Sequence, residues 1–428
     1  MPQRAARRST TPSIPVMLFG IGSFTQSVMR CLRDDGAQVS AYLTRNYGHY
    51  GPSREGPAYP AAEHPSPLPL LQKHQPAFVI PMSIDWAQQS WTQSLLDSGT
   101  PILCPTGEGL LIERDRDFAR DLCRRYKIPF PKSFRAENRS EARRLIRRQP
   151  RAYVIKNPLC SPFSPVHTIV CESAEETLAW LDTVDDSEGL FLQEYLGRAE
   201  VGHIALVSNG EIHSLITNQE YKRAFHGNQG IVAGAPLGGL AEKDPADRYG
   251  LAKTLLHPLL PWLRKVGFHG PIQVTAIRHQ DRWHVLEYNV RLGVTSAPLI
   301  LRLLSNPTDT LLQAALNQPV APRFHANRVF GASITLAGYG YPYVRLTAPH
   351  LPVRSTAPEN ADIWWNEVAP GSNNTLHMTG HRIADVTAVA PTLKTALAKA
   401  YRNIRQIHCL GSYFREDVGE SLWPPGKT

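Results

Sequence analysis

No stretch of the 428 residues approaches the roughly 20 consecutive apolar positions that a membrane helix needs, so a membrane-spanning chain is not expected. Cysteine is sparse, with six residues at 31, 104, 123, 160, 171 and 409 and no Cys-x-x-Cys pair. That excludes a disulfide-built scaffold, argues against a structural zinc site, and implies reduced, mostly buried thiols in a cytoplasmic protein. Internal repeats and low-complexity tracts are absent apart from the proline-rich stretch Pro52 to Pro69. Acidic residues are outnumbered, 37 against 46 Lys and Arg, for a formal net charge of +9. The excess is dispersed, and its densest cluster, Arg143, Arg144, Arg147, Arg148 and Arg151, reads as the solvated face of one helix. With no binding motif beside it, no nucleic-acid partner is expected. The first thirteen residues are Arg-rich, and no acid precedes Asp34. A transit peptide has that composition. The following apolar run is broken by Gly20 and Gly22 and lacks a small-residue cleavage site, which favours a basic tail at 1–13.

What is present is a well-cored globular composition, 42% hydrophobic and 19% charged, too long for one core and therefore expected in two to four lobes. Ile14–Phe19, a Gly20-Ile21-Gly22 turn and a helical pattern through Val28 and Leu32 open a strand, turn, helix unit. Strands at Val39–Thr44, Ala77–Pro81 and Pro101–Leu103, with a helix over Trp86–Leu96 and a loop over Pro52–Pro69, predict a parallel α/β sheet. A helix is expected over Arg114–Tyr126. Arg151–Lys156 and Thr168–Cys171 read as a hairpin, and Ala174–Thr183 as a helix. Strands follow at Phe191–Tyr195, Val201–Ser208 and Glu211–Ile216, the last two joined by an Asn209-Gly210 turn. Asp247–Val266 reads as a proline-interrupted helix and Ile272–Arg278 with Trp283–Tyr288 as a hairpin. Strands at Phe330–Ala337 and His381–Val389 and a helix over Thr392–Ile407 complete the pattern.

The strongest constellation is Gln273, Glu287 and Asn289. Glu287 and Asn289 are two apart on one strand and share a face, and a hairpin brings Gln273 alongside. Three oxygen ligands on a rigid sheet suit Mg²⁺, which takes its remaining ligands from phosphates and water. Glu-x-Asn alone is weak, because any amphipathic edge strand can carry it.

The surroundings give it meaning. Lys156 on a strand, Gln193-Glu194-Tyr195-Leu196 ending another, Glu200, and Glu287-Tyr288-Asn289-Val290-Arg291 stand in an order that resembles the ATP-grasp fold. Within that fold the chain resembles the phosphoribosylamine–glycine ligase family. The resemblance runs through Ile112 to Arg120, Tyr221-Lys222-Arg223-Ala224-Phe225, Leu286 to Gly293, Gly340-Tyr341-Pro342, Gly380-His381-Arg382-Ile383, Lys399-Ala400-Tyr401 and Phe414 to Gly419. The metal triplet is also similar to that of carbamoyl phosphate synthetase. The resemblance implies an α/β protein with an N-terminal parallel domain at 14–112, a two-lobed ATP-grasp module at 113–324 with its small lobe at 130–193, and a C-terminal α+β domain at 325–428. It implies ATP and Mg²⁺, with Mn²⁺ as the alternative ion, small-molecule carboxylate and amine substrates, and a monomer or homodimer. Lys156 and Arg116 would face the ATP phosphates, although Arg116 also reads as a plain helix-face charge. Glu194, Tyr195 and Leu196 would line the adenine, and Glu200 would accept from the ribose hydroxyls. Lys222, Arg223 and Arg291 would stand beside the reaction centre, Arg291 alternatively forming a structural salt bridge.

Several segments depart from the family pattern. The loop Asn157 to Pro165 has three prolines and neither glycine nor lysine, so it lacks donors to cradle phosphate. Gly20-Ile21-Gly22 is followed by Ser23-Phe24-Thr25-Gln26, with no cation, and Gly293 by Val294-Thr295-Ser296. Val232 to Leu237 replaces another family segment. The leading expectation is therefore a ligase acting through an acyl phosphate on different substrates. The alternatives are a genuine phosphoribosylamine–glycine ligase and a catalytically silent nucleotide- or partner-binding relative.

Overall fold

A computed structural model describes residues 13–161, 164, 168–338, 340–343, 349–371 and 375–420. The basic tail up to residue 12, and Pro162, Phe163 and Pro165 of the proline loop, lie outside the described residues.

The chain opens with four parallel strands in the order Ala58–Pro60, Gln38–Leu43, Pro15–Gly20, Phe78–Pro81. Near-continuous apolar runs make the two inner strands, as expected of strands covered on both faces. The helix Gly22–Asp34 covers one side. Pro52–Pro69 is not a uniform loop: it holds the strand Ala58–Pro60, the end of the short helix Tyr50–Ser53 and the start of the helix Leu68–His74. Proline at the first helical turn costs no hydrogen bond, which is how Leu68–His74 tolerates Pro69. The expected helix over Trp86–Leu96 divides into a 3₁₀ turn, Ile84–Gln88, and a helix, Thr92–Asp97. At Pro101–Leu103 there is a single parallel bridge from Ile102 to Val79 in place of a strand.

A second sheet is antiparallel, in the order Ser133–Ala136, Leu190–Glu194, Tyr153–Lys156, Thr168–Val170. It carries the helices Arg139–Arg148 and Ala174–Trp180 over its own apolar cluster. Asn138 and Ser173 cap those helices by accepting from Glu141 N and Glu176 N.

The largest sheet has nine strands among the described residues and is antiparallel throughout. Its order is Arg282–Asn289, Gly270–His279, Glu200–Ser208, Glu211–Glu220, Gly238–Lys243, Phe330–Gly338, Arg382–Ala390, Asp362–Trp365. Ser412–Tyr413 pairs off the path with Phe330–Gly338. Asn209 and Gly210 both have positive φ, +50° and +70°, which gives the tight hairpin turn read from their sequence. The sheet runs without interruption from residues near 200 to residues near 390. The helix over 247–266 is broken into Leu251–Leu255, a 3₁₀ turn at His257–Leu259 and Leu260–Lys265, as its prolines require. No described helix is long and apolar enough to cross a membrane. All six cysteines are free, with 31, 104, 123 and 171 buried.

Candidate active site

The hairpin Gly270–His279/Arg282–Asn289 sets Gln273 directly opposite Asn289, and Thr275 opposite Glu287. Strand alternation then puts Gln273, Glu287 and Asn289 on one face. Glu287 sits in a cage of cations. Lys222 Nζ is 3.2 Å from its Oε1 and Arg116 is 4.0 Å from its Oε2. Burial would raise the Glu287 carboxyl, but Lys222, Lys156 and Arg116 outweigh burial and hold it well below the usual carboxylate range. Lys222 also meets Glu200 at 3.0 Å and Glu220 at 3.9 Å. Burial would lower its ammonium, yet those three carboxylates keep it firmly protonated.

Lys156 reaches this cluster from the smaller sheet. Its Nζ donates to Leu286 O at 3.4 Å, and Gln193 Nε2 donates to the same carbonyl at 3.2 Å. The carbonyl just before Glu287 thus anchors the two central strands of the smaller sheet. Lys156 is 4% exposed, and burial together with the positive charge of Arg116 lowers its pKa to about 8. Arg116 is the first residue of the helix Arg116–Arg125, whose cap Asp115 accepts from Asp117 N and Phe118 N. Its Nε donates to Asn157 O at 2.9 Å, so it faces the cleft and is not a free helix-face charge.

Arg291 lies 3.3 Å from Glu113 and donates to Asn289 Oδ1 at 3.1 Å. Glu113 is buried, its carboxyl raised by desolvation, and it accepts from Val290 N. Arg291 thus forms a salt bridge, the alternative read for it from the sequence, and it also holds the Asn289 side chain.

Arg223 points elsewhere, to Glu172 at 2.9 Å and Gly230 O at 2.8 Å. Tyr195 and Arg198 gather on the same Glu172, and Glu194 pairs with Arg151 at the rim. Leu196 is half-buried beside them. The structure thus brings Arg116, Lys156, Glu200, Lys222, Gln273, Glu287, Asn289 and Arg291 together, and leaves Arg223 and Tyr195 around Glu172 and Glu194 with Arg151.

Four polar residues of the site were not singled out from the sequence: Glu113, Asn218, Glu220 and Thr275. Glu220 is half-buried, its carboxyl raised by desolvation, and it accepts from Thr295 Oγ1 at 3.1 Å. The readable signal was the alternation Asn218, Glu220, Lys222, a polar face where a core strand would be apolar.

The described part of the 157–165 loop is tied down. Arg116 N donates to Pro158 O, Cys160 N to Arg114 O, and the Asn157 amide to Leu159 O and Glu188. The first turn of the chain is also occupied. Gly22 N donates to Gly48 O at 2.8 Å, and Ser23 Oγ donates to the buried Asp385 carboxylate. Gly22 has φ +56°, and a Cβ there would lie 1.9 Å from Asn366 Oδ1.

Two lobes closing on a carboxylate and a set of cations at a sheet hairpin define an ATP-grasp protein. Within that class the chain belongs to the phosphoribosylglycinamide synthetase family: residues 114–297 match the profile "Phosphoribosylglycinamide synthetase, ATP-grasp (A) domain" and 332–421 that of its C domain, together more than half of the chain. It is 24% identical over 422 residues to the phosphoribosylamine–glycine ligase of Thermotoga maritima, covering 95% of this chain and 99% of that one. It is likewise 24% identical over 340 residues to the Clostridium acetobutylicum ligase, covering 76% and 80%. Among solved structures, the Thermotoga maritima ligase superposes with a TM-score of 0.74 at 22% identity over 94% of this chain and 100% of that chain. A Thermus thermophilus N5-carboxyaminoimidazole ribonucleotide synthetase gives 0.61 at 14% over 91% and 98%. The chain is accordingly an ATP-dependent carbon–nitrogen ligase of the ATP-grasp type.

Proposed function

We propose that this protein joins a carboxylate to an amine through an acyl phosphate, with Mg-ATP bound between the small antiparallel sheet and the face of Glu287. The observation that carries the reading is the Glu287 cage: an anionic carboxylate held beside Lys156, Arg116, Lys222 and Arg291 at the junction of two sheets. Gln273, Glu287 and Asn289 offer oxygen donors alone, which suits a hard divalent ion. When bound, that ion would offset charge on the phosphates. Lys156 and Arg116 would contact phosphate oxygens and Glu200 the ribose, with Glu194 to Leu196 against the base. A substrate carboxylate oxygen attacks the γ-phosphorus and ADP leaves. The amine nitrogen then attacks the acyl carbon, phosphate leaves and the nitrogen loses a proton. Lys222 and Arg291 would stabilise charge on the transferring phosphoryl group and the acyl oxygen, the main contribution protein groups can make to such a transfer.

The first turn bears on the substrate. A phosphate monoester there needs N–H donors or cations, because its near −2 charge is costly to bury unpaired. Gly22 N–H is already used by Gly48, and Ser23 faces the buried Asp385 carboxylate. That supports a substrate other than phosphoribosylamine. The near full-length match to phosphoribosylamine–glycine ligases supports the purine-pathway reading equally. Complementation of a bacterium lacking its own ligase separates the two: robust growth without purine would establish the second. The ligase itself is tested by ADP and phosphate release from amino acids paired with amines. Glu287→Gln should lower turnover at least a hundredfold, and Mg-dependent ATP binding with no turnover on any pair would leave a nucleotide-binding relative.

A further inference from the structure

One hollow beside the Glu287 cage shares Glu200, Lys222 and Gln273 with the steps above, but its floor of Gly202, Asn218 and Thr275 has no part in them. On the central strands Gly202 stands opposite Asn218 on one side and Thr275 on the other. Since residue 202 has no side chain, the sheet face dips there, and the space between Asn218 and Thr275 amounts to ≈ 10 Å³. That is room for one water or one ammonium head. Glu200, Glu220, Lys222 and Gln273 complete its wall. A Cβ at 202 would lie 2.3 Å from Asn218 Oδ1 and fill the dip.

Two acceptors in this hollow are unsatisfied. Asn218 Oδ1 and Thr275 Oγ1 are buried without a hydrogen-bond partner, on residues 1% and 4% exposed. Buried acceptors without donors are costly and mark a place where a donor belongs. The neighbouring charge says what kind. Glu200 and Glu220 both border the hollow, while Lys222 divides its one charge among Glu200, Glu220 and Glu287. The balance favours a small cation with several N–H groups. A divalent ion fits poorly, because ≈ 10 Å³ leaves no room for the waters such an ion keeps. A primary ammonium has three donors, enough for both orphaned oxygens and one carboxylate.

We propose that this hollow binds the primary ammonium group of one of the two ligase substrates, with Asn218 and Gly202 setting its size. The inference rests on the ligase reading for the word substrate, but the site is tested by binding alone. Methylammonium chloride is titrated into the full chain loaded with MgADP and followed by NMR, with potassium chloride and tetramethylammonium chloride as controls. Saturable methylammonium binding is expected, weakened tenfold or more in both Asn218→Leu and Gly202→Ala, while MgADP affinity stays within twofold. If Gly202→Ala fails to fold by circular dichroism, Asn218→Leu carries the comparison. Absence of saturable binding, equal binding by wild type and Asn218→Leu, or potassium binding as tightly as methylammonium would each overturn the proposal. Failure of MgADP to bind would count against the ligase reading, and the same titration on the nucleotide-free chain would still decide the hollow. Competition assigns the source: displacement by glycine and not ethanolamine places the ammonium on the acid substrate, and the reverse places it on the amine donor. Displacement by neither overturns the substrate assignment.

Discussion

Lys156 illustrates how one buried side chain sets a pH limit. Burial and the nearby Arg116 bring its pKa to about 8, so the ammonium is present below that pH and lost above it. kcat/KM reports ionisations of the free enzyme. With Lys156 facing phosphate, kcat/KM for ATP should fall as pH rises through about 8, whereas kcat should hold to higher pH because bound phosphates keep the lysine charged. A Lys156→Met variant should lose that alkaline limb along with most ATP affinity, and a limb that persists in it would assign the ionisation elsewhere. His203 supplies the opposite edge of the profile in stability. It is fully buried between Thr217 and Ser214 hydroxyls, and burial lowers its pKa below the ordinary 6.5. The unfolded chain then binds the proton first, so the stability it contributes is complete above about pH 6.5 and is lost as pH falls through the lower folded value. Melting temperature measured from pH 7.5 to 5 should fall, and the fall should be smaller in His203→Gln.

At the scale of elements, the helix Arg116–Arg125 couples a cap to the site. Asp115 accepts from two backbone N–H groups at its first turn, and the next residue, Arg116, holds the Asn157 carbonyl and approaches Glu287. Asp115→Ala should cost about 1 kcal/mol of stability. It should also raise KM for ATP several-fold with little change in kcat, because the guanidinium loses its fixed origin; unchanged KM would separate the cap from the site. The sequence alone placed this helix but ran it through Asp115, since a 3.6-residue pattern does not register a one-residue break in backbone direction. Strands rich in Val, Ile and Leu, such as Pro15–Gly20 and Glu200–Ser208, were legible because burial on both faces leaves a continuous apolar signature. Gly238–Lys243 was not, having two glycines and no β-branched residue. The short strands Pro352–Ser355, inside a small sheet, and Val368–Pro370, at its edge, were equally hidden, and the helices Ser296–Leu303 and Pro307–Ala315 went unassigned, the first in a run apolar on nearly every face. Of the site, Gln273, Glu287 and Asn289 on the hairpin, and Lys156, were readable from spacing and resemblance. Glu113, Glu220 and Asn218 were not, because their meaning depends on which strands become neighbours.

At the scale of the whole molecule, Arg302 shows how the first and last parts of the chain hold one geometry around the cleft. It lies on the helix Ser296–Leu303, a few residues after the strand Arg282–Asn289, and pairs with Asp362 through two hydrogen bonds at 3.0 and 2.7 Å. It reaches Asp34 at the end of the first long helix at 2.8 Å, and its guanidinium lies over Trp364. Gln26 adds a second tie, accepting from Trp365 N and donating to Glu55. The Arg302–Asp34 and Gln26–Trp365 contacts join segments 268 and 339 residues apart, so their loss removes long-range order without touching the Glu287 cage. Arg302→Leu leaves the half-buried Asp362 without this partner, while the exposed Asp34 keeps Arg30, which should cost roughly 1–3 kcal/mol. Most of that should disappear in the double variant Arg302→Leu/Asp362→Asn, since the penalty resides in the stranded Asp362 carboxylate. Denaturant titration of the two variants measures the difference, and equal losses would mean that packing against Trp364, not charge pairing, is what Arg302 contributes. MgADP affinity should stay within twofold in both, because the helix that carries Arg302 is held independently by Leu299, Ile300 and Leu303 in the apolar core.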